Sequence, residues 1–489
     1  MKKVGGFIIF IFLPLFSIAQ NISLNHTGTQ FDGFENPVQQ SFQKDLSRKY
    51  AVTLFPHINA FVYFKGDAES VFKKFLFTRI LSGNAIGNLD QGKTNHLIFN
   101  ANNYLANFKI FMGRDYNREL GFSLQLKDEG EAMVTNETFA ILGNYRNFTK
   151  PVYINPFNSS GFNQSYWQLG VTYRENYNDK WGFGAKLSLL NGLIYNRANV
   201  YSSELTVNGN STYDVKAKGT YTSSFGFNKL DFNYLLPNLK NIGAAVSLAA
   251  AYQTPSGYYF TANLKDAGFI RWGKKTANYT FDTTVSNLDP QAADVSKEFF
   301  DAVQKDANST EIKKAFYSKI NTKLEVAASK QFGFYKPVLV ASKSVFNPQG
   351  QFALINNFQK NAFFFSLNAI YDRQSKFNLG SQLMVKSANM EFYAGSEELF
   401  PTYYLGKSYI TKNENIGKGA PRANFYMGIN VKFGEKVQSI GNAEFIPGLN
   451  DKETGYVYRL SKREKKRIHK TEKARDKAAR KNNKRNRKR

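Results

Sequence analysis

The chain has 489 residues, and 65 Lys plus Arg against 38 Asp plus Glu leave a formal net charge of +27. It has no Cys, which excludes disulfides, thiolate metal sites and a lipoprotein cysteine. Aromatic residues make up 16% of the chain, yet mean hydropathy is −0.43, and beyond the first twenty residues no run of about 18 apolar residues offers a membrane helix.

From the N-terminus, Lys2 and Lys3 precede an apolar stretch from Val4 to Phe16, and Ser17-Ile18-Ala19 places small residues where a signal peptidase reads. Residues 1–19 are therefore expected to be a cleaved secretory signal. Residues 20–48 are polar, with a short helix expected between Gln39 and Arg48. A strand over Thr53–Phe64 carries His57. From Asp67 to Leu81, Val71, Phe72, Phe75, Leu76 and Ile80 recur at helical spacing. The pattern leaves strand limits open between Asn95 and Thr149.

Strict alternation then begins. Trp167, Leu169, Val171 and Tyr173 point one way, and Gln168, Gly170, Thr172 and Arg174 the other. The next segment sets Trp181, Phe183, Ala185, Leu187 and Leu189 against Gly182, Gly184, Lys186 and Ser188. Limits are again open from Leu193 to Leu236. Further copies start at Ile242, Tyr258, Phe363, Phe377 and Phe425. Between them, Asp289-Pro290 opens a helix to Lys314 with Val295, Phe299, Ala302 and Val303 on one stripe. Both helices are expected to pack on a rim rather than gate a lumen, since an apolar stripe usually means packing.

Segments of about 9–13 residues suit tilted strands crossing a bilayer, with aromatic ends such as Trp181, Tyr252, Tyr371 and Phe433 at the lipid–water boundary. Strands of a soluble sandwich are usually shorter, about five or six residues. The expected fold is all-β: a transmembrane outer-membrane β-barrel over residues 49–434. At roughly 25 residues per strand plus connection it has about 14 strands (14–16), with one or two short loop or plug helices. Gln168, Arg174, Lys186 and Ser188 are the candidate lumen-facing side chains.

The terminal strand ends at Phe433, leaving a linker, 435–460, and a tail, 461–489, on the same side as the N-terminus. The tail carries 16 Lys plus Arg against three acids, a net +13, with almost no apolar face. It reads as a solvated arm. Lys465, Lys466, Arg467, Lys484, Arg485 and Arg487 are its candidate contacts to an anionic envelope surface: peptidoglycan, phospholipid or an acidic protein. Nucleic acid is not expected, because the signal peptide exports the chain.

Catalysis finds no support. His26, His57, His96 and His469 are scattered, without a second His or carboxylate at metal-ligand spacing, and no Gly-x-Ser-x-Gly elbow or phosphate loop occurs. His57 is the one candidate, and is expected to be a lumen or rim residue. No enzyme activity, metal or cofactor is expected.

Phe34-Glu35-Asn36-Pro37 near the mature start and Asp266-Ala267-Gly268-Phe269-Ile270-Arg271-Trp272 carry a resemblance. The chain resembles a Bacteroidota outer-membrane barrel family of unknown function, and is more distantly similar to the long-chain fatty-acid transporter superfamily. The resemblance covers about residues 20–434 and implies a barrel of about fourteen strands with no established substrate. Two functions are expected. The first is a porin-like channel or transporter for small solutes, hydrophobic ones included, inserted by the barrel-assembly machinery. The alternative is a structural or assembly component of the cell envelope, whose basic periplasmic tail binds peptidoglycan or an acidic partner complex. That alternative predicts a blocked lumen.

Overall fold

The computed structural model describes residues 26, 28–42 and 48–436, apart from 80, 82–85, 87–88, 90–91, 113–116, 144–147, 210–211, 228–235, 238, 290–294, 347–349, 373–375 and 418–419; beyond 436 it describes only 470 and 473. The expected signal peptide and nearly all of the expected linker and tail lie outside the described residues.

A single helical turn, α1 (Asp32–Glu35), precedes β1 (Arg48–Lys65), α2 (Glu69–Thr78), β2 (Thr94–Met112), β3 (Arg118–Thr135), α3 (Asn136–Leu142), β4 (Val152–Ile154), β5 (Ser160–Asn176), β6 (Trp181–Val207) and β7 (Tyr213–Ser223). Then come β8 (Ile242–Gln253), β9 (Tyr258–Trp272), β10 (Ala277–Leu288), α4 (Val295–Ser309), β11 (Ile312–Lys313), β12 (Phe316–Lys319) and β13 (Lys323–Lys330). The chain continues through β14 (Tyr335–Ser344), β15 (Gly350–Lys360), β16 (Phe363–Asp372), β17 (Lys376–Lys386), β18 (Met390–Ser396), α5 (Leu399–Thr411) and β19 (Arg422–Lys436).

β1, β2, β3, β5, β6, β8, β9 and β13 to β19 form a closed antiparallel barrel of 14 strands. β1 and β19 seal it, with Val52 opposite Val431 and Ala60 opposite Phe425. Closure removes the unpaired edges that hydrocarbon would not tolerate. The alternation sets the faces: Leu187 is 66% exposed, while Lys186 beside it is 1% exposed. Leu169, Val171, Phe183, Leu248, Phe260, Leu324, Leu367 and Leu379 likewise project outward. The turns at one end are short, as at Lys360–Phe363, and aromatic pairs mark that end, with Trp181 against Tyr252 at 4.7 Å and Tyr50 against Phe433 at 5.4 Å.

Long connections gather at the other end. β6 pairs with β8 up to Asn191, and its far half, from Asn196, pairs with β7 beyond the barrel wall. β4 and β10 extend this outer sheet. Leu205, Val215, Leu288, Ile141 and Phe157 form its core, with Phe299 and Val303 of α4 packed in. The β10 N–H groups of Asp282 and Thr280 donate to Asp306 of α4 at 2.8 Å and to the hydroxyl of Thr310, just past that helix, at 3.1 Å, so α4 and the residue that follows it blunt this edge. On α2, Val71 and Phe72 are buried, and Phe72 stacks on Phe64 at 4.3 Å. The helix expected between Gln39 and Arg48 is not formed in its described part: residues 39–42 are turns. Side chains there fold the segment on itself instead of capping a helical ladder: Gln40 donates to the Thr29 carbonyl at 3.1 Å, and Gln39 accepts from Asn36 at 3.5 Å.

Candidate functional site

Residues 28–42 lie inside the barrel. Asp32 folds the segment locally by accepting from the N–H groups of Gly28 (2.7 Å) and Thr29 (3.1 Å) and from the Thr29 hydroxyl (2.6 Å). The Asn36 side-chain oxygen accepts from the Val38 N–H at 3.3 Å, a turn that Asn before Pro favours. Around this plug the wall supplies partners from many strands. The Gln30 N–H donates to Glu391 of β18, Lys386 of β17 donates to the Gly28 carbonyl, and Tyr259 of β9 donates to the Val38 carbonyl. His26, at the start of the segment, meets Glu325 of β13 at 3.1 Å.

Inward glycines make room. A Cβ on Gly184 would lie 2.5 Å from the Cβ of Pro37, and one on Gly121 would lie 2.8 Å from Phe34. Phe31 packs against His57 (4.6 Å, stacked), Tyr104 (5.5 Å) and Tyr393 (5.6 Å). His57 is thus a buried lumen residue whose Nδ1 bonds the Tyr393 hydroxyl. Among the described residues, no group of three or more His, Asp or Glu could hold a metal ion.

The centre of the site is Glu35. Its carboxylate pairs with Lys265, accepts from the Tyr104 hydroxyl, and accepts from Asn102 (2.5 Å) and Gln125 (3.4 Å). Lys265 reaches it because β9 bulges. Leu248 faces Leu264, but Val246 faces Ala267, so an extra residue is inserted and Lys265 and Asp266 both turn inward. Asp266 takes φ +50°, left-handed backbone that Asp tolerates. Its carboxylate meets Lys127 at 2.5 Å and accepts from Gln168 at 2.9 Å, with Lys186 at 4.0 Å.

Gln168, Lys186 and Ser188 therefore gather around Asp266: Gln168 also donates to Ser188 (2.9 Å), and Lys186 donates to Gln125 (3.1 Å). Arg174 is also inward but joins a second cluster, where Glu119 pairs with Lys109 (2.7 Å) and Arg174 (3.5 Å). Lys109 lies 4.7 Å over the Phe34 ring. Sequence reasoning missed Glu35, Lys127 and Lys265 as partners. A signal for the bulge was present: Lys265-Asp266 breaks the run Tyr258, Phe260, Ala262, Leu264 with two consecutive charges. The six basic candidates, Lys465, Lys466, Arg467, Lys484, Arg485 and Arg487, lie outside the described residues.

At the long-loop end, α5 exposes Leu399, Phe400, Tyr403, Tyr404, Tyr409 and Ile410. It follows β18, which ends at Ser396 opposite Ser381, while β17 continues five residues further to Lys376.

Residues 54–397 match a family described as "Family of unknown function (DUF5723)". A search of curated proteins finds no match. Among solved structures, the chain is similar to the toluene transporter TodX of P. putida at 8% identity, covering 86% of this chain and 100% of that one with a TM-score of 0.43. A FadL homologue of Pseudomonas aeruginosa aligns at 10% identity over 86% and 100% of the two chains, with a TM-score of 0.43. The translocator domain of the autotransporter NalP from Neisseria meningitidis aligns at 6% identity over 79% and 89%, with a TM-score of 0.30.

Proposed function

The chain belongs to the DUF5723 family of unknown function, and we propose that it is an outer-membrane channel or transporter for small hydrophobic solutes whose lumen is closed by residues 28–42. The observation that carries this reading is the way the plug is held. Its described residues pair with no strand of the wall and are fastened by side chains around Glu35 and by wall side chains on the Gln30 N–H and the Gly28 and Val38 carbonyls, contacts that water can replace. Short turns mark the periplasmic end and long connections the cell surface. The aromatic face of α5 then lies on the outer side, where an apolar solute can collect before entry. On this assignment the chain leaves β19 on the periplasmic side, and the basic tail would follow there.

The filled lumen also favours a second reading, a barrel that serves as an anchor for the tail. Conductance of the full chain in a planar bilayer separates the two. The channel reading expects the intact protein closed and brief openings once the plug is loosened by Glu35→Gln. Closure in both forms, with no solute uptake in cells, would overturn it and leave the anchor. Crosslinking from residues 461–489 would then identify what the tail binds.

A further inference from the structure

We propose that Asn368 and Gln382 form a hydrogen-bonding site inside the lumen for the uncharged polar head of an amphipathic solute. The inference rests on the channel reading above and names the class of solute.

Asn368 on β16 and Gln382 on β17 are each 1% exposed and face inward. Among the described residues, these are the two amide side chains whose oxygen and nitrogen are both buried without a hydrogen-bond partner. Buried amides are ordinarily paired, because water is lost and nothing replaces it. Neighbouring inward amides each have at least one partner, although the Asn430 oxygen has none. Asn357 donates to the His26 carbonyl and accepts from Ser366. Asn424 donates to the Ala60 carbonyl and accepts from the Glu397 N–H. Asn430 donates to Glu391. Those residues tie the wall to itself or to the plug segment, whereas Asn368 and Gln382 tie nothing.

The two lie together. Asn368 is opposite Gly380 and Gln382 is opposite Ser366, so they are diagonal neighbours on adjacent strands, roughly 7–8 Å apart. On the far side Gln382 is opposite Gly395. Each amide therefore has glycine beside it on a neighbouring strand, with no side chain from that position to bond it. Together they offer two N–H₂ donors and two carbonyl acceptors, a set that matches an alcohol, a sugar hydroxyl or a primary amide.

The surroundings disfavour an anionic head. A Cβ on Gly380 would lie 2.7 Å from Cα of Glu397, which places that acidic residue beside Asn368. The site lies at the level where β18 gives way, three residues on, to α5 with its exposed Phe400, Tyr403 and Tyr404. An apolar body on that helix and a polar head on the amides would share one path.

The test is equilibrium binding of radiolabelled 1-decanol and decanoate to the full chain in phosphatidylcholine nanodiscs, with empty nanodiscs as background. Saturable 1-decanol binding is expected, weakened tenfold or more in N368L/Q382M, and decanoate should bind more weakly than 1-decanol to the unaltered protein. Equal 1-decanol binding in both proteins, no saturable binding at all (buried water only), or decanoate binding as well as 1-decanol would each overturn the proposal. Should the double variant fail to fold, N368D keeps the side-chain shape and should shift preference from 1-decanol to decylammonium; no shift overturns the site. Solute uptake measured in parallel separates the two claims. Binding without uptake refutes the channel and keeps the site, and uptake without binding does the reverse.

Discussion

Glu35→Gln probes the lock on the plug most directly. Around Glu35 and Asp266, three ammonium groups, Lys127, Lys186 and Lys265, face two carboxylates. The substitution leaves three cations against Asp266 alone. It also sets the new amide N–H₂ against the Lys265 ammonium, donor against donor. Lys265 is buried, so its charge loses this carboxylate without gaining water. Breaking one side of a buried pair costs about 3–5 kcal/mol, which shifts the plug equilibrium by a factor of roughly 10² to 10³ or more. The chain has no Cys, so Val38→Cys places a single thiol in a fully buried part of the plug. Reaction of that thiol with a maleimide should be slow in the otherwise unaltered chain and faster by about two orders of magnitude in the Glu35→Gln background. Lys265→Met added to Glu35→Gln should recover part of the loss, since it removes the excess buried charge. An unchanged labelling rate in a folded Glu35→Gln barrel would refute the claim that this carboxylate holds the plug.

Gly184→Val drives a side chain into Pro37, whose Cβ would be 2.5 Å from the new Cβ, and should speed labelling of the Val38→Cys thiol, while Gly209→Ala, with nothing within 4 Å, serves as the neutral control. Phe400→Ser with Tyr403→Ser removes the exposed aromatic face of α5; uptake of an apolar solute should fall several-fold, with stability unchanged within about 0.5 kcal/mol. Burial, aided by neighbouring Glu397, pushes the Glu398 carboxyl from 4.5 up to about 8, against the opposing pull of Arg422. A raised carboxyl favours the protonated folded state, so its contribution is complete below about 4.5 and is lost as pH rises through about 8. The thermal unfolding temperature should therefore fall between about pH 4.5 and pH 8 and level off above that, and Glu398→Gln should flatten that slope; an equal slope in both proteins would count against the assignment.

Period-two alternation carried the barrel because each strand has lipid on one side and lumen on the other, so a single residue is enough to assign a face. Leu187 and Lys186 could be sorted without knowing their neighbours. The same pattern was weak where that rule stops applying. The far half of β6 leaves the membrane and packs Leu205 into the core of the outer sheet, which is why limits between Leu193 and Leu236 stayed open. Phe34-Glu35-Asn36-Pro37 stood out as a motif, but the partners of Glu35 come from β2, β3 and β9, at separations of 67, 69 and 90 residues for Asn102, Tyr104 and Gln125. No local period encodes such a meeting. The turns at 39–42 show the converse: a helix-compatible stretch gives up its ladder where its side chains bond back to the same segment, as Gln40 does to the Thr29 carbonyl.

The chemistry of the lock bears on what the barrel can do. An apolar plug would be held by area removed from water, and releasing it would expose that area with no compensation. Here Glu35 and the plug carbonyls are held by charged and polar groups of the wall, for which burial and pairing nearly cancel. Such a segment is specified closely, because each carboxylate must find its own partners, yet it can be exchanged for water at modest net cost once water enters. Phe31 and Phe34 add the apolar component that keeps water out at rest. Breaking one ion pair then admits water to the next, so opening should be cooperative along the chain of contacts from Lys265 through Asp266 to Lys127. Replacing both Glu35 and Lys265, with Leu and Met respectively, should do the opposite of Glu35→Gln: the segment would stay in place by packing, and the Val38→Cys thiol would react more slowly than it does with the lock intact. A double variant that labels as fast as Glu35→Gln would show that the charges supply the hold itself and not only its specificity.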